Sequence, residues 1–574
     1  MKIKLAFLIT TIVVLFTLIF KVSPDTAIDY SKKIGANSMS CTPAKFLLND
    51  VDTTKQIAPL FENLGSHSYK VTTNNTLAQK FFNQGLRLTY AFNHAEAHRS
   101  FMEAARLDPN CAMAFWGQAY VLGPNINDPF PDDERKTKYN EAIEKAKSLI
   151  TKANTKERAL INALSQRYST NLKTEVDSLN MAYMIAMDEV AETFSTDADI
   201  LTLYAAAVMN TVPWNYWDKK GNPSPHIPEA KNALEQAIKI NSNHPGAHHY
   251  YIHMVELPTP DLAVPSAEKL GSLMPAAGHI VHMPSHIYIR VGRYKDAVTV
   301  NQKAILADED YISQCYSQGM YPLGYYPHNI HFLWSASSLL GASDIAIEAA
   351  KKTAEKVPVG EMKELHFLQN FASTPLLAYT RFGKWNDILT FPKPNDEIKH
   401  LKLIWHYARG IAFTRKNNIK EAQEELEAID KLIKDPEMET LIATGFDSGT
   451  TIAKLAYEVV AGEIATAKND LESAISHLEK AVKMEDLLIY NEPSAWHIPP
   501  RQNLGAVLLK AKKYKAAESI FKEDLEVLRQ NGWALMGLYK SLKLQGKSGE
   551  AEGALEEFHE AWKDSDIEIH SSIL

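Results

Sequence analysis

Nine of the protein's twenty histidines fall between positions 244 and 331 of a 574-residue chain. The segment HHYYIHMVE, residues 248–256, carries His248, His249, His253 and Glu256. GHIVHMPSH, residues 278–286, carries His279, His282 and His286, and YYPHNIHFLW, residues 325–334, carries His328 and His331. Imidazole is the commonest side-chain metal ligand as well as a frequent buried hydrogen bonder. Separations of three and four residues place two side chains on one face of a helix. The candidate metal ligands are therefore His249, His253, Glu256, His279, His282, His286, His328 and His331. A set of imidazoles with one carboxylate and no cysteine suits a divalent transition metal, Zn, Cu, Fe, Ni or Mn, without choosing among them.

The phase of these residues is more informative than their number. Counting from Pro245, His249 is four on, His253 eight and Glu256 eleven; from Pro275, His279 is four on, His282 seven and His286 eleven. Counting back from Gly292, His279 is thirteen and His282 ten; from Gly341, His328 and His331 repeat those separations. Three successive helices are thus expected to present histidines in matching register. Residues seven apart on a helix lie ~10.5 Å apart along its axis, so one helix does not easily supply three ligands. Neighbouring helices pack ~8–10 Å apart, so pairs from different helices are expected to combine, with Glu256 as the carboxylate. Pro284 opens the turn around His279–Met283 and re-aims the histidines there. The metal-free counterpart is a polar interior in which the imidazoles bond to Tyr250, Tyr251, Tyr288, Tyr325 or Tyr326.

Other candidates carry less. His94 and His98 are four apart in FNHAEAHRSF but fall on the second helix of their pair, which favours a structural role. YNEPSAWHIPPRQ, residues 490–502, sets Glu492, Trp496, His497 and Arg501 around three prolines and reads first as a connection between helices. His244 precedes a proline in a turn, and His248 points away from His249. The chain has no HExxH motif, nucleophile elbow, P-loop or dinucleotide-binding glycine pattern.

The elements that carry these residues repeat. FFNQGLRLTYAFNHAEAHRSFMEAARLDPN (81–110) sets Gly85, Ala97, Phe101, Ala104 and Pro109 at fixed separations. RQNLGAVLLKAKKYKAAESIFKEDL (501–525) repeats them with Gly505, Ala517 and Phe521. WHYARGIAFTRKNNIKEAQEELEAI (405–429) does so with Gly410, Ala422 and Leu426, and AGEIATAKNDLESAISHLEKAV (461–482) with Gly462, Ala474, Leu478 and Ala481. Small residues let two antiparallel helices approach, and the large residue fills the space between them. This pattern resembles the tetratricopeptide repeat and implies an all-α superhelix of stacked helix pairs, an α-solenoid with a concave groove. In that fold the first helix of each pair lines the groove, so the histidines are expected to share an interior channel. The combination of FNQGLRLTYAFNHAEA, HMPSHIYIRVGRY, YYPHNIHFLW and NGWAL also looks like a bacterial subfamily of exported repeat proteins, a resemblance that implies fold and not chemistry.

The domain reading follows. Residues 1–22 are a signal peptide or N-terminal anchor, since two lysines precede an uncharged apolar run from Leu5 to Phe20. Residues 23–75 are linker and lead-in, 76–240 N-terminal repeats, 241–355 histidine-rich central repeats and 356–574 C-terminal repeats. The loops 212–225 and 310–326 break the repeat and are placed to cap or gate a groove. An exported protein is expected, periplasmic or membrane-anchored by its N-terminus. Its three widely spaced cysteines, Cys41, Cys111 and Cys315, form no disulfide framework. A net charge of −8 without basic blocks gives no reason for a nucleic-acid partner. Three functions fit: a metal-dependent binding protein for a small molecule, a metal-dependent enzyme, or a metal-free scaffold for a protein or peptide in the groove.

Overall fold

The computed structural model describes residues 54–314 and 321–574. The expected signal or anchor, most of the linker, Cys41 and Cys315 lie outside the described residues. The described residues all belong to one unit, Ser40–Leu574. They form an all-α solenoid of tetratricopeptide type, in which each helix packs on the next along the chain. Among the described residues no strand forms, only isolated bridges such as Trp217 with Pro223. No helix among them is long and apolar enough to cross a membrane.

The repeat residues interlock. α1 (Thr76–Tyr90) starts where the Asn75 side chain accepts from the amides of Leu77 and Ala78, and α2 (His94–Leu107) where Asn93 accepts from Glu96. A Cβ on Gly85 would come within 2.7 Å of the Phe101 ring, and one on Gly117 within 2.5 Å of the same ring. Near the other end of the chain, Phe521 occupies the equivalent notch between Gly505 and Gly537, 2.3 Å from either added Cβ. One phenylalanine thus fits between the glycine of its own pair and that of the next. Leu478 fills the notch at Gly462, but at Gly410 the neighbour is Val460 of the helix Gly449–Ala467, which opens the next pair.

Two features depart from an open groove. Part of the lead-in packs, with Ala58, Leu64 and Val71 buried and the Ile57 amide donating to Glu103 at 2.9 Å. The C-terminal helices also fold back on the middle of the chain: Trp533 Nε1 donates to the Ser338 carbonyl at 3.0 Å, and Tyr294 Oη to the Arg529 carbonyl at 2.7 Å. The interior holds a cavity of about 290 Å3, walled by residues from Phe92 to Pro493.

Candidate metal centre

Four short helices aim the histidines. α3 (Pro245–Val255) starts with a proline, whose missing amide costs nothing in a first turn. His244 caps it, its Nδ1 accepting from the Ala247 amide at 3.0 Å. Pro284 does what its sequence position predicts: the helix divides at Met283 into α4 (Gly278–His282) and α5 (Pro284–Arg290). α4 lies so close to the buried Asp308 of α6 (Tyr294–Gln314) that a Cβ on Gly278 would fall 1.9 Å from its Oδ1. Asp308 accepts from Tyr321 Oη and from Asn329 Nδ2, both at 2.7 Å, and the Tyr321 oxygen accepts from the His279 amide at 3.2 Å. Burial pushes the Asp308 carboxyl up to about 7. This network ties α4 to α7 (Tyr326–Leu340), which brings His328 and ends at Gly341 in the left-handed conformation, φ 78°.

Six histidines converge in two triads. His249 and His253 of α3 meet His279 of α4; His282 of α4 and His286 of α5 meet His328 of α7. Within each triad one nitrogen per ring lies within 4.8 Å of the others. His249 Nε2 is 3.2 Å from His253 Nε2, and His282 Nε2 is 3.1 Å from His286 Nε2. His279 and His282, three apart in sequence, stack at 5.6 Å between ring centres and serve different triads.

The opposite ring nitrogens face acceptors. His249 Nδ1 donates to the Tyr90 carbonyl at 2.6 Å, and His282 Nδ1 to Asn301 Oδ1 at 2.7 Å. Asn301 is oriented by its own amide, which donates to the Ala297 carbonyl. Glu256 stands between the triads, with Oε2 2.8 Å from His286 Nδ1 and Oε1 3.5 Å from His253 Nδ1. These are charge contacts without hydrogen-bond alignment. Burial opposes ionisation of Glu256, but His286 and His253 outweigh it and hold the carboxyl at about 2. Burial also drives His249, His279, His282 and His328 well below the ordinary 6.5, and His253 below it against the pull of Glu256. These rings are neutral at neutral pH. Where Nδ1 holds the proton, Nε2 presents a lone pair, the form in which imidazole binds a metal. Both nitrogens of buried His279 have no hydrogen-bond partner, so the donor set fits a transition metal.

Each triad is covered by a phenylalanine. The Phe92 ring lies 4.4 Å from His249, 5.5 Å from His279 and 6.0 Å from His253. Phe332 lies 4.5 Å from both His282 and His286 and 4.8 Å from His328. Phe92 has φ 56° and Trp214, whose ring stands 5.0 Å from His253, has φ 62°. Bulky residues in the left-handed region mark local strain, and such strain concentrates at functional sites. His253, His279, His286 and His328 line the cavity, together with Tyr321, Tyr325 and Glu492. Burial pushes the Glu492 carboxyl above the ordinary range, and its Oε1 accepts from Tyr490 Oη at 2.8 Å.

Of the eight residues predicted, the structure gathers seven, six as the triads and Glu256 between them. His331 lines the same cavity but joins neither triad: it stacks on Trp334 at 4.8 Å, faces Phe371 at 5.3 Å and is pushed down to about 3 by burial. His248 turns away to Ser266 Oγ and the Ser242 carbonyl. Of the tyrosines of the metal-free alternative, Tyr251 bonds to Glu235, Tyr325 to Asn127 and Tyr326 to Glu309. A further group, His67, Asp199 and His244, is organised by hydrogen bonding: Asp199 Oδ1 accepts from Tyr90 Oη at 2.8 Å and contacts both rings. Sequence reasoning missed Phe92, Trp214, Phe332, Asn301 and the Tyr90 carbonyl. It favoured a structural role for His94, which lines the cavity beside Asn125, and it read Glu492 as part of a connection.

Fold and site together define a helical-repeat protein with a histidine-walled interior. No protein-family model matches the chain, and no curated protein matches it either. Among solved structures, the human IFIT1 dimer with m7Gppp-AAAA aligns at 14% identity over 86% of this chain and 90% of its own, with a TM-score of 0.32. The APC/C hetero-tetramer Cut9–Hcn1 aligns at 14% identity over 86% and 77%, TM-score 0.28, and yeast Tom70 at 13% over 84% and 90%, TM-score 0.29. The likeness is one of helical-repeat fold alone.

Proposed function

We propose that this chain is an exported repeat protein that holds transition metal in its interior histidine cluster and presents it to a small molecule in the adjoining cavity. The observation that carries this reading is the pair His249 and His253. Two nitrogens ~2.0–2.1 Å from one tetrahedral ion lie about 3.3–3.4 Å apart, and these Nε2 atoms are 3.2 Å apart. With Nδ1 of His249 spent on the Tyr90 carbonyl, its Nε2 presents a lone pair toward the second imidazole, at the separation of two ligands on one ion. Export rests on the basic start and apolar run of residues 1–20, and is checked by fractionation and by sequencing the mature N-terminus.

The test is elemental analysis of purified protein after incubation with Zn, Cu, Fe, Ni or Mn and removal of excess. Retained metal that His253→Ala loses supports the reading. Substoichiometric metal under every condition overturns it and returns the chain to a peptide-binding scaffold. An enzyme is the form of this reading that Glu492 favours, because a carboxyl with a raised pKa in the same cavity suits proton transfer. Turnover that disappears in Glu492→Gln with metal content unchanged would separate a catalyst from a carrier.

A further inference from the structure

We infer that the cluster is a two-ion centre, one ion per imidazole triad, whose free coordination positions open on the same cavity and are spanned by one small anion. The inference rests on the metal-binding reading and adds its stoichiometry and its ligand class.

Three observations carry it. The triads share no histidine: His249, His253 and His279 form one, and His282, His286 and His328 the other. Each has its own anchor on the protein, the Tyr90 carbonyl behind His249 and Asn301 behind His282, so neither needs the other to fix its rings. Glu256 contacts one ring of each triad on the Nδ1 side, the place of a carboxylate that orients ligating imidazoles. A single ion in one triad would leave the Nε2 pair of the other, 3.1 or 3.2 Å apart, without a cation, and one held by His253, Glu256 and His286 would leave both pairs without one.

Three imidazoles leave a tetrahedral ion one open position. In each triad the anchored ring, His249 or His282, lies behind, and the other two line the cavity, so the open positions face inward. Charge then selects the ligand. Imidazole ligates a metal as the neutral ring and offsets no charge, and Glu256 is the one carboxylate among the described residues in contact with the six, so two cations in this buried site carry an uncompensated positive charge. Buried charge demands a counter-charge. A small anion with oxygen or nitrogen donors, of the size of hydroxide or azide, supplies it between the ions. The aromatic walls, Phe92, Trp214 and Phe371 among them, restrict what else approaches.

The experiment loads the full chain with Cu(II), removes excess, counts copper per chain by elemental analysis and records EPR spectra with and without azide. The expected result is two ions per chain, most of the EPR signal lost through spin coupling once azide bridges them, and an azide-to-copper absorption band. His282→Ala should hold one ion with an ordinary, uncoupled signal, and His279→Ala likewise through the other triad; the wild-type count decides the matter if either variant fails to fold. One ion per chain in the wild type overturns the two-ion inference and leaves the metal-binding reading standing. No retained metal overturns that reading itself. Two ions with a full, azide-insensitive EPR signal overturn the shared anion.

Discussion

His249 and His253 stand one helical turn apart and point their Nε2 atoms at a common spot, 3.2 Å from each other. The contact is held by the Tyr90 carbonyl from behind one ring, by Glu256 beside the other and by the Phe92 ring above both. Loading with a metal that binds here should stabilise the folded chain, by about 2.7 kcal/mol at a free concentration a hundredfold above Kd. Thermal unfolding with and without metal, reversed by chelator, measures this.

Glu256 touches both triads without belonging to either, so Glu256→Gln tests orientation apart from ligation. Loss of the carboxylate should weaken metal affinity about 10- to 100-fold, the usual effect of removing a partner behind the ligands. Competition against a chromophoric chelator reads it, and circular dichroism checks that the helices remain. Unchanged affinity would show that Glu256 serves packing alone.

Phe92 combines a left-handed backbone, φ 56°, with a ring over the first triad. Phe92→Ala removes the ring and keeps the strain, and a buried Phe→Ala change costs about 3–5 kcal/mol. Phe92→Gly removes both, so it should be less destabilising than the alanine variant by up to about 1 kcal/mol, the reverse of their order in a helix. Urea unfolding of the two variants side by side gives the difference.

Glycines divide by what surrounds them. Gly85→Ala and Gly505→Ala drive a methyl into Phe101 and Phe521 and should each destabilise by about 1–3 kcal/mol. Gly553, within the helix Ser548–Trp562, has nothing within 4 Å of an added Cβ. Gly553→Ala should instead stabilise by roughly 0.5–1 kcal/mol. Denaturation midpoints at constant m-value distinguish the two classes.

Asp524 links stability to pH away from the centre. Burial pushes its carboxyl up to about 6 from 3.8, against the opposing effects of the Gln502 hydrogen bond, Arg501 and Arg381; Glu485 is the neighbouring acid. Below 3.8 the carboxyl is protonated both folded and unfolded. As pH rises from there to about 6 the unfolded chain gives up its proton first, so stability falls across that window and then levels. Asp524→Asn should flatten the fall and gain on the order of 2 kcal/mol above it. Unfolding free energies measured at intervals from pH 4 to pH 8 would show no such difference if Asp524 titrates normally.

Much of this was legible in the residues. The Gly85/Phe101 and Gly505/Phe521 spacings announce paired helices because a ring fits only where a side chain is missing, and that is a local property. The register of His249, His253, His279, His282, His286 and His328 is legible for the same reason, since helical periodicity fixes which side chains share a face. Which histidines become partners is not local. His279 and His282 sit three apart on α4 yet part company, because His279 meets the histidines of α3 and His282 those of α5 and α7. His331 holds the register of a ligand and still turns to Trp334 and Phe371, the aromatic surface nearest to it.

The sequence by itself determined the helix pairs, the notches that lock them and the pool of histidines on their inner faces, all set by short-range sterics and a fixed period. The tertiary structure decided the division into two triads, the place of Glu256 between them and the coverage by Phe92, Trp214 and Phe332. It also turned the expected open groove into a cavity, by bringing Glu492 and Tyr490 across to face histidines more than 150 residues earlier in the chain. The physical reason is that a solenoid fixes each helix against its neighbours step by step, whereas the meeting of distant turns depends on curvature summed over all of them.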